Sequence, residues 1–111
     1  MSGVFVYIEN RHGQMASASQ EALGAAAAVA EELGEDITAI VLGSGVEGVA
    51  TAAFDLGASE VVGADDEALA NYRIEAFGPV LTSIVEENEP DVLIMGATTQ
   101  GRDLSSWVAF E

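Results

Sequence analysis

The segment at residues 96–103, Gly-Ala-Thr-Thr-Gln-Gly-Arg-Asp, holds the residues best suited to binding a ligand. It follows an apolar run and precedes a helical pattern, and it combines two glycines, two hydroxyls and an arginine. Backbone N–H groups at such a helix start can face an anion, with Arg102 as a charged donor. The same residues can instead cap the helix, with Arg102 and Asp103 pairing locally or across a subunit interface. The candidate residues for either role, nucleotide binding or subunit contact, are Gly96, Thr98, Thr99, Gly101, Arg102 and Asp103.

Two other segments superficially suggest phosphate or metal chemistry. Gly43-Ser44-Gly45 follows an apolar run, but it lacks the GxGxxG spacing and the Lys-Ser/Thr pair of phosphate loops, so it indicates a tight turn. Asp65 and Asp66 resemble a Mg²⁺-binding acidic pair of phosphoacceptor receiver domains. That chemistry requires the pair after the first strand and a lysine elsewhere, and the chain contains no lysine. Capping of a following helix is the better interpretation of this pair.

The sequence gives little support for any other catalytic or metal-binding arrangement. His12, the single histidine, lies in a polar segment and is typical of a solvated loop residue. The chain has no cysteine, no histidine-carboxylate cluster at metal-ligand spacing and no plausible Ser-His-Asp arrangement. Trp107 with Phe110 indicates core or interface packing. We therefore predict no catalytic residues, no metal site and no enzyme activity for the chain on its own.

Four apolar runs that are rich in β-branched residues are expected to form the strands that position these segments. They lie at residues 4–8 (VFVYI), 37–42 (ITAIVL), 60–64 (EVVGA) and 91–95 (DVLIM). Because they do not alternate cleanly with polar residues, they predict strands covered on both faces, as in a parallel sheet.

Helical patterns separate and follow the strands. Ser17 with Gln20 fits a capping box, and Gly34 stands where a C-terminal cap glycine belongs. A second helix is expected to end at Gly57, a third to contain Pro79, and a fourth to begin near Arg102. Pro79 is tolerable in a first turn and would kink a helix that begins much earlier.

The alternation predicts an α/β domain with an open, doubly wound parallel sheet, Rossmann-like, in three α/β/α layers. We expect residues 1–111 to form a single domain. Because the fourth helix runs to the last residue without a following strand, we also expect the chain to be the N-terminal part of a longer polypeptide.

The charge balance excludes two classes of partner. With 3 Lys+Arg against 19 Asp+Glu, the net charge is -16, which argues against nucleic acid and against an anionic membrane surface. At 50% hydrophobic residues the chain should nevertheless fold. No apolar stretch approaches the ~20 residues of a membrane helix, and a signal-peptide pattern is absent, so a soluble, cytoplasmic protein is expected.

Three stretches are similar to one known family: residues 6–13 (VYIENRHG), residues 56–62 (LGASEVV) with Asp65 and Asn71-Tyr72 beyond, and residues 90–104 (PDVLIMGATTQGRDL). The last, with its Gly-Ala-Thr-x-x-Gly-Arg-Asp-Leu pattern, is the most specific. Together they make the whole chain resemble the N-terminal domain of the electron transfer flavoprotein alpha subunit, whose fold is also that of adenine nucleotide hydrolases.

The resemblance implies an electron carrier rather than an enzyme: a heterodimer with a beta subunit that passes electrons from flavin dehydrogenases to an acceptor. It implies FAD in the parent complex, bound mainly by a C-terminal domain that is not in this sequence. No cofactor is expected on this chain alone, and AMP is possible in the beta subunit. Here the family's usual Pro and Arg after the motif are replaced by Ser105, Ser106 and Trp107.

Two further hypotheses come from the residues themselves. A stand-alone nucleotide-binding module resembling universal stress proteins would use residues 96–103 as a phosphate nest. Several carboxylates lie near the predicted helix C-termini, and no lysine compensates their charge. They indicate that the whole surface is acidic, which suits a protein to high salt and hence suggests a halophilic source.

Overall fold

The computed structural model describes residues 3–11, 13–96 and 98–109. His12 and Phe110, considered above, therefore lie outside the described residues. The strands and helices follow in the order β1 (Val4–Ile8), β2 (Asn10–Arg11), β3 (Gln14–Met15), α1 (Ser17–Leu33), β4 (Ile37–Gly43), α2 (Glu47–Asp55), β5 (Glu60–Asp65), a 3-10 helix (Glu67–Leu69), α3 (Ile74–Asn88), β6 (Val92–Ile94) and α4 (Thr99–Ala109). All four predicted strands and all four predicted helices are present.

The main sheet has four parallel strands in the order β5-β4-β1-β6. β1 lies between β4 and β6, with Val4 opposite both Ile37 and Val92. The chain thus builds the sheet outward from β1 in one direction and then returns to add β6 on the other side. This confirms the doubly wound, three-layer α/β/α fold.

Strand residues alternate between two apolar cores because successive side chains point to opposite faces of the sheet. Val4, Val6 and Ile8 pack with α1 and α2, whereas Phe5 and Tyr7 pack with α3 and α4. All five are almost completely buried. Coverage on both faces explains why the strand sequences read as continuous apolar runs.

The two ends of α1 confirm one prediction and contradict another. Gly34 does adopt the left-handed conformation, with φ 66°, and its N–H bonds the carbonyl oxygens of Ala30 and Glu31 at the end of α1. The capping box at Ser17 is wrong: the helix begins at Ser17 itself, and its N-cap is Ala16, which has no capping side-chain oxygen. The N–H of Ala16 donates to the carbonyl oxygen of Glu9, and the carbonyl oxygen of Ala16 accepts from the N–H of Ser19, so the helix starts one residue earlier than the pattern suggests.

Three other local features differ from the expectation. α4 begins at Thr99 rather than near Arg102. Pro79 lies in the second turn of α3, which begins at Ile74; its ring removes one helical hydrogen bond there. The antiparallel pair β2–β3, with Asn10 opposite Met15, was not anticipated because each of its strands is two residues long.

Among the described residues, no helix has both the length and the apolar character needed to cross a lipid bilayer.

Candidate functional site

The carboxyl edge of the sheet holds a cleft between the ends of β1 and β6. These two strands flank the point where the order of the sheet reverses, and ligands of open α/β sheets bind at such a point. The cleft encloses about 700 Å³. Its walls are residues 9–11 after β1, residues 70–72 before α3, and residues 98–100 at the start of α4.

Thr98 connects the two strand ends across the floor of this region. Its hydroxyl donates to Glu9 Oε1 at 2.6 Å and accepts from the N–H of Gly101 at 3.0 Å, which makes Thr98 the N-cap of α4. The Thr98 hydroxyl thus links the positive end of the α4 dipole to the carboxylate of Glu9, which belongs to the same chain. A phosphate entering here would meet the negative charge of Glu9.

A buried phenol supports the same junction from below. Tyr7, only 2% exposed, donates its hydroxyl to Gln100 Oε1 at 2.8 Å. Burial, with smaller contributions from Glu9 and Tyr72, raises the pKa of Tyr7 far above its ordinary value. The phenol therefore stays protonated and acts as a donor that fixes the Gln100 amide.

Tyr72 stands on the opposite wall of the cleft. Its hydroxyl donates to Asp103 Oδ2 at 3.5 Å, and its ring meets the Phe77 ring edge-on at 5.0 Å between centroids. Desolvation, followed by the charge and hydrogen bond of Asp103 and the charges of Glu75 and Glu9, raises the pKa of Tyr72 to about 12. Tyr72 therefore stays protonated at neutral pH and acts as a donor to Asp103.

The turn at residues 43–45 is closed by a carboxylate from the next strand. Asp65, the last residue of β5, accepts from the backbone N–H of Gly45 at 2.8 Å through Oδ1 and of Val46 at 3.3 Å through Oδ2. Val46 is the N-cap of α2. The position that a phosphate would take in a phosphate loop is filled from within the chain, which confirms the interpretation of this segment as a turn.

Asp66 has a separate role from its neighbour. Its Oδ1 accepts from the N–H of Ala68 at 2.9 Å and caps the 3-10 helix, which confirms the predicted capping. The two carboxylates thus bond to different segments. Among residues 3–11, 13–96 and 98–109, no three His, Cys, Asp or Glu side chains converge as a metal site would require.

The six candidate residues do not all line one cavity. Thr98 and Thr99 face the cleft, and Asp103 bonds Tyr72. The other three, Gly96, Gly101 and Arg102, line a second, mostly apolar cavity of about 460 Å³ beside β6 and α4. Arg102 is exposed there, and in the described part of the chain it makes no ion pair with Asp103 within 4.0 Å.

Gly96 lies in a tightly packed loop. A Cβ added to Gly96 would lie 3.2 Å from the Cβ of Ala18, so the backbone of this loop passes close to α1. The sequence did not predict which side chains form hydrogen bonds at this edge of the sheet. They are those of Tyr7, Glu9, Asp65, Tyr72 and Gln100. A polar residue directly after an apolar strand, as at Glu9, is the one signal that could have indicated them.

Comparison with known proteins agrees with this architecture. A family described as the electron transfer flavoprotein domain matches residues 4–110. "Protein FixB" of Clostridium saccharobutylicum is 42% identical over 107 residues, covering 96% of this chain and 32% of its own length. The electron transfer flavoprotein subunit alpha of Clostridium acetobutylicum is 37% identical with the same coverage. The acryloyl-CoA reductase electron transfer subunit beta of Anaerotignum propionicum is 34% identical over 91% of this chain and 28% of its own length. The chain spans about a third of the length of these curated relatives.

Proposed function

Because the chain belongs to the electron transfer flavoprotein domain family, which matches residues 4–110, we propose that it is the N-terminal domain of an electron transfer flavoprotein alpha subunit. In this proposal it serves as a scaffold and subunit contact in a cytoplasmic heterodimer with a beta subunit. The heterodimer carries electrons from flavin dehydrogenases to an acceptor. The names and the identity of the relatives support this assignment.

One observation supports the scaffold role in particular: the helix starts at the carboxyl edge are served by carboxylates of the chain itself. Glu9 reaches α4 through Thr98, and Asp65 bonds the start of α2. Helix N-termini bind phosphate because their N–H groups and dipole favour an anion. Here both helix starts already interact with carboxylates of the chain. These internal bonds rigidify the edge rather than leaving it open to a phosphorylated ligand.

The same groups do not fit FAD. A pyrophosphate in the cleft would lie against the carboxylate of Glu9, with Arg11 as the one cationic side chain of the cleft wall. We therefore propose that FAD belongs to another part of the parent complex, and that AMP, if present, is held by the beta subunit. The six candidate residues then serve local structure and subunit contact.

The test is the colour and binding behaviour of the purified chain. We expect no visible flavin absorbance, and a complex of one chain with one beta subunit from the same source in size-exclusion chromatography with light scattering. Stoichiometric FAD on this chain alone would overturn the proposal, as would a failure to bind the beta subunit.

A nucleotide-binding module resembling universal stress proteins is the second candidate, and the open cleft of about 700 Å³ is the observation that favours it. Calorimetry with AMP and with ATP separates the two functions. Clear binding that Arg11→Ala, in the wall of this cleft, abolishes would support the module. Absence of measurable heat for both nucleotides, with the chain folded by circular dichroism, is the result that the scaffold role predicts.

A further inference from the structure

The apolar cavity beside β6 shares no lining residue with the cleft at the carboxyl edge. In the described part of the chain, β6 is the outermost strand on its side of the sheet, so its side chains are covered less completely than those of β1. The cavity encloses about 460 Å³, which is within the size range of small-molecule sites. Its apolar wall includes the half-buried side chains of Leu93, Met95 and Val108.

This wall is the outer end of the core between the sheet and helices α3 and α4. Leu93 and Met95 pack against that core, and Val108 joins it one helical turn after the fully buried Leu104. The unbranched side chain of a methionine such as Met95 adapts to the shape of what it contacts. An alkyl group that enters the cavity therefore leaves water for an apolar environment, which favours binding.

The charge around the cavity differs from that of the chain as a whole. Asp and Glu outnumber Lys and Arg by 19 to 3, yet among the described residues that line the cavity none is acidic and one, Arg102, is basic. No carboxylate of the described residues lies within 4.0 Å of the Arg102 side-chain nitrogens. The neighbouring Asp103 accepts from Tyr72 instead. An anionic group at the cavity therefore has a cationic partner available.

We propose that this cavity binds an amphipathic carboxylate, of which a medium-chain alkanoate is the simplest form. The alkyl chain lies against Leu93, Met95 and Val108, and the carboxylate accepts from the guanidinium of Arg102, whose planar donors match a carboxylate. Carboxylates elsewhere on the surface repel the ligand, but salt screens exposed charges beyond about 8–10 Å. The inference goes beyond the proposed function and does not depend on the heterodimer.

The experiment is a calorimetric titration of the chain with butanoate, hexanoate, octanoate and decanoate, each below the concentration at which it aggregates. We expect the affinity to rise by up to about fourfold for each CH₂ group that the cavity buries. Amide NMR spectra locate the site, and the largest shifts are expected at Gly96 and Gly101, which line the cavity. An affinity that does not depend on chain length, or shifts that are largest elsewhere, would overturn the inference.

Arg102→Gln tests the contact with the carboxylate. Arg73→Gln is its matched control, because Arg73 is an exposed arginine that does not line the cavity. We expect Arg102→Gln to weaken octanoate binding about two- to fivefold, as for an exposed ion pair, and to leave the binding of uncharged octanol unchanged. The control should bind both ligands like the wild type. Equal losses in the two variants, or equal losses for the two ligands, would contradict the proposal.

Ser105→Phe tests the apolar part of the site, because Ser105 is an exposed residue of α4 that lines the cavity. Ser106→Phe adds the same side chain at the next exposed position, outside the lining residues. With both variants folded by circular dichroism, Ser105→Phe should abolish octanoate binding and Ser106→Phe should retain it. Octanoate binding that persists in Ser105→Phe would refute the inference.

Two other occupants of the cavity give different results. Self-association of the wild-type chain that Ser105→Phe abolishes would place a second copy at this edge of the sheet and refute the ligand site. Release of octanoate when the beta subunit binds would assign the cavity to the subunit contact, which refutes this inference and supports the proposed function. Octanoate binding that is equal in the free chain and in the heterodimer supports both.

Discussion

The contact between Gly78 and Trp107 gives the sharpest stability prediction. Gly78 is buried in α3, and the indole of Trp107 from α4 lies directly over it. A Cβ built on Gly78 would be 2.5 Å from Trp107 Cε2 and 2.6 Å from Cδ2. Carbon atoms in optimal contact are about 3.5–4.0 Å apart, so Gly78→Ala forces the ring or the helices to move by about 1 Å.

The expected magnitude is the difference between two opposing effects. Overpacking of this kind costs about 1–3 kcal/mol, while replacing a glycine inside a helix by alanine gains about 1 kcal/mol. We therefore expect Gly78→Ala to lower the free energy of unfolding by about 1 kcal/mol, on the order of 4 °C in Tm for a domain of this size.

Gly24→Ala is the matched control, since Gly24 is an exposed glycine within α1 and an added Cβ has no atom within 4 Å. It should raise the free energy of unfolding by about 0.5–1 kcal/mol through helix propensity alone. The same chemical change is thus expected to have opposite signs at the two positions.

Urea unfolding followed by circular dichroism and by the fluorescence of Trp107, the single tryptophan, measures both variants. Combining Gly78→Ala with Trp107→Leu should recover part of the loss, because the smaller side chain relieves the overlap. Equal stabilisation by Gly78→Ala and Gly24→Ala would refute the reasoning from this contact.

The remaining predictions concern the carboxyl edge and the surface charge. Thr98→Val should lower the free energy of unfolding by about 1–2 kcal/mol, because Glu9 and the N–H of Gly101 lose their shared partner, whereas Thr98→Ser should cost little in the same urea assay. Asp65→Ala, which removes two acceptors from the start of α2, should also cost about 1–2 kcal/mol, and a Tm equal to the wild type's would contradict its capping role. Because the pKa of Tyr72 rises from 10.0 to about 12 on folding, stability should be fully present below pH 10 and decline as the pH rises through 12; Tyr72→Phe should make this decline shallower in pH-dependent melting curves. The Tm of the chain should rise between low and molar salt if its acidic surface is an adaptation to salt, and a flat response counts against a halophilic source.

Local signals were sufficient to predict the four strands of the main sheet and the four α-helices. Gly34 ends α1 because only a residue that accepts positive φ can close that turn, and Asp66 caps the helix that directly follows it. Both interactions span few residues, so the sequence contains everything that decides them. Ser17 shows the limit of such reasoning, because a capping pattern can fit at more than one register and the helix here starts one residue earlier than the pattern suggests.

The site could not be predicted because its bonds join residues far apart in the chain. Thr98 and Glu9 are 89 positions apart, and Tyr7 and Gln100 are 93 positions apart. Their meeting depends on the return of β6 to the free side of β1, which the strand patterns leave open. The segment at residues 96–103 is divided between two cavities because α4 begins within it, and successive helical residues point in different directions.

The sequence by itself determined the alternation of strands and helices, the burial of the sheet on both faces, the ends of several helices and the net charge of -16. These follow from hydrophobic period, backbone preference and composition, which are properties of neighbouring residues. Only the tertiary structure decided which side chain interacts with each helix start. A helix N-terminus accepts whichever carboxylate the fold brings near, and the order of the strands, rather than the order of the residues, selects Asp65 for one and Glu9 for the other.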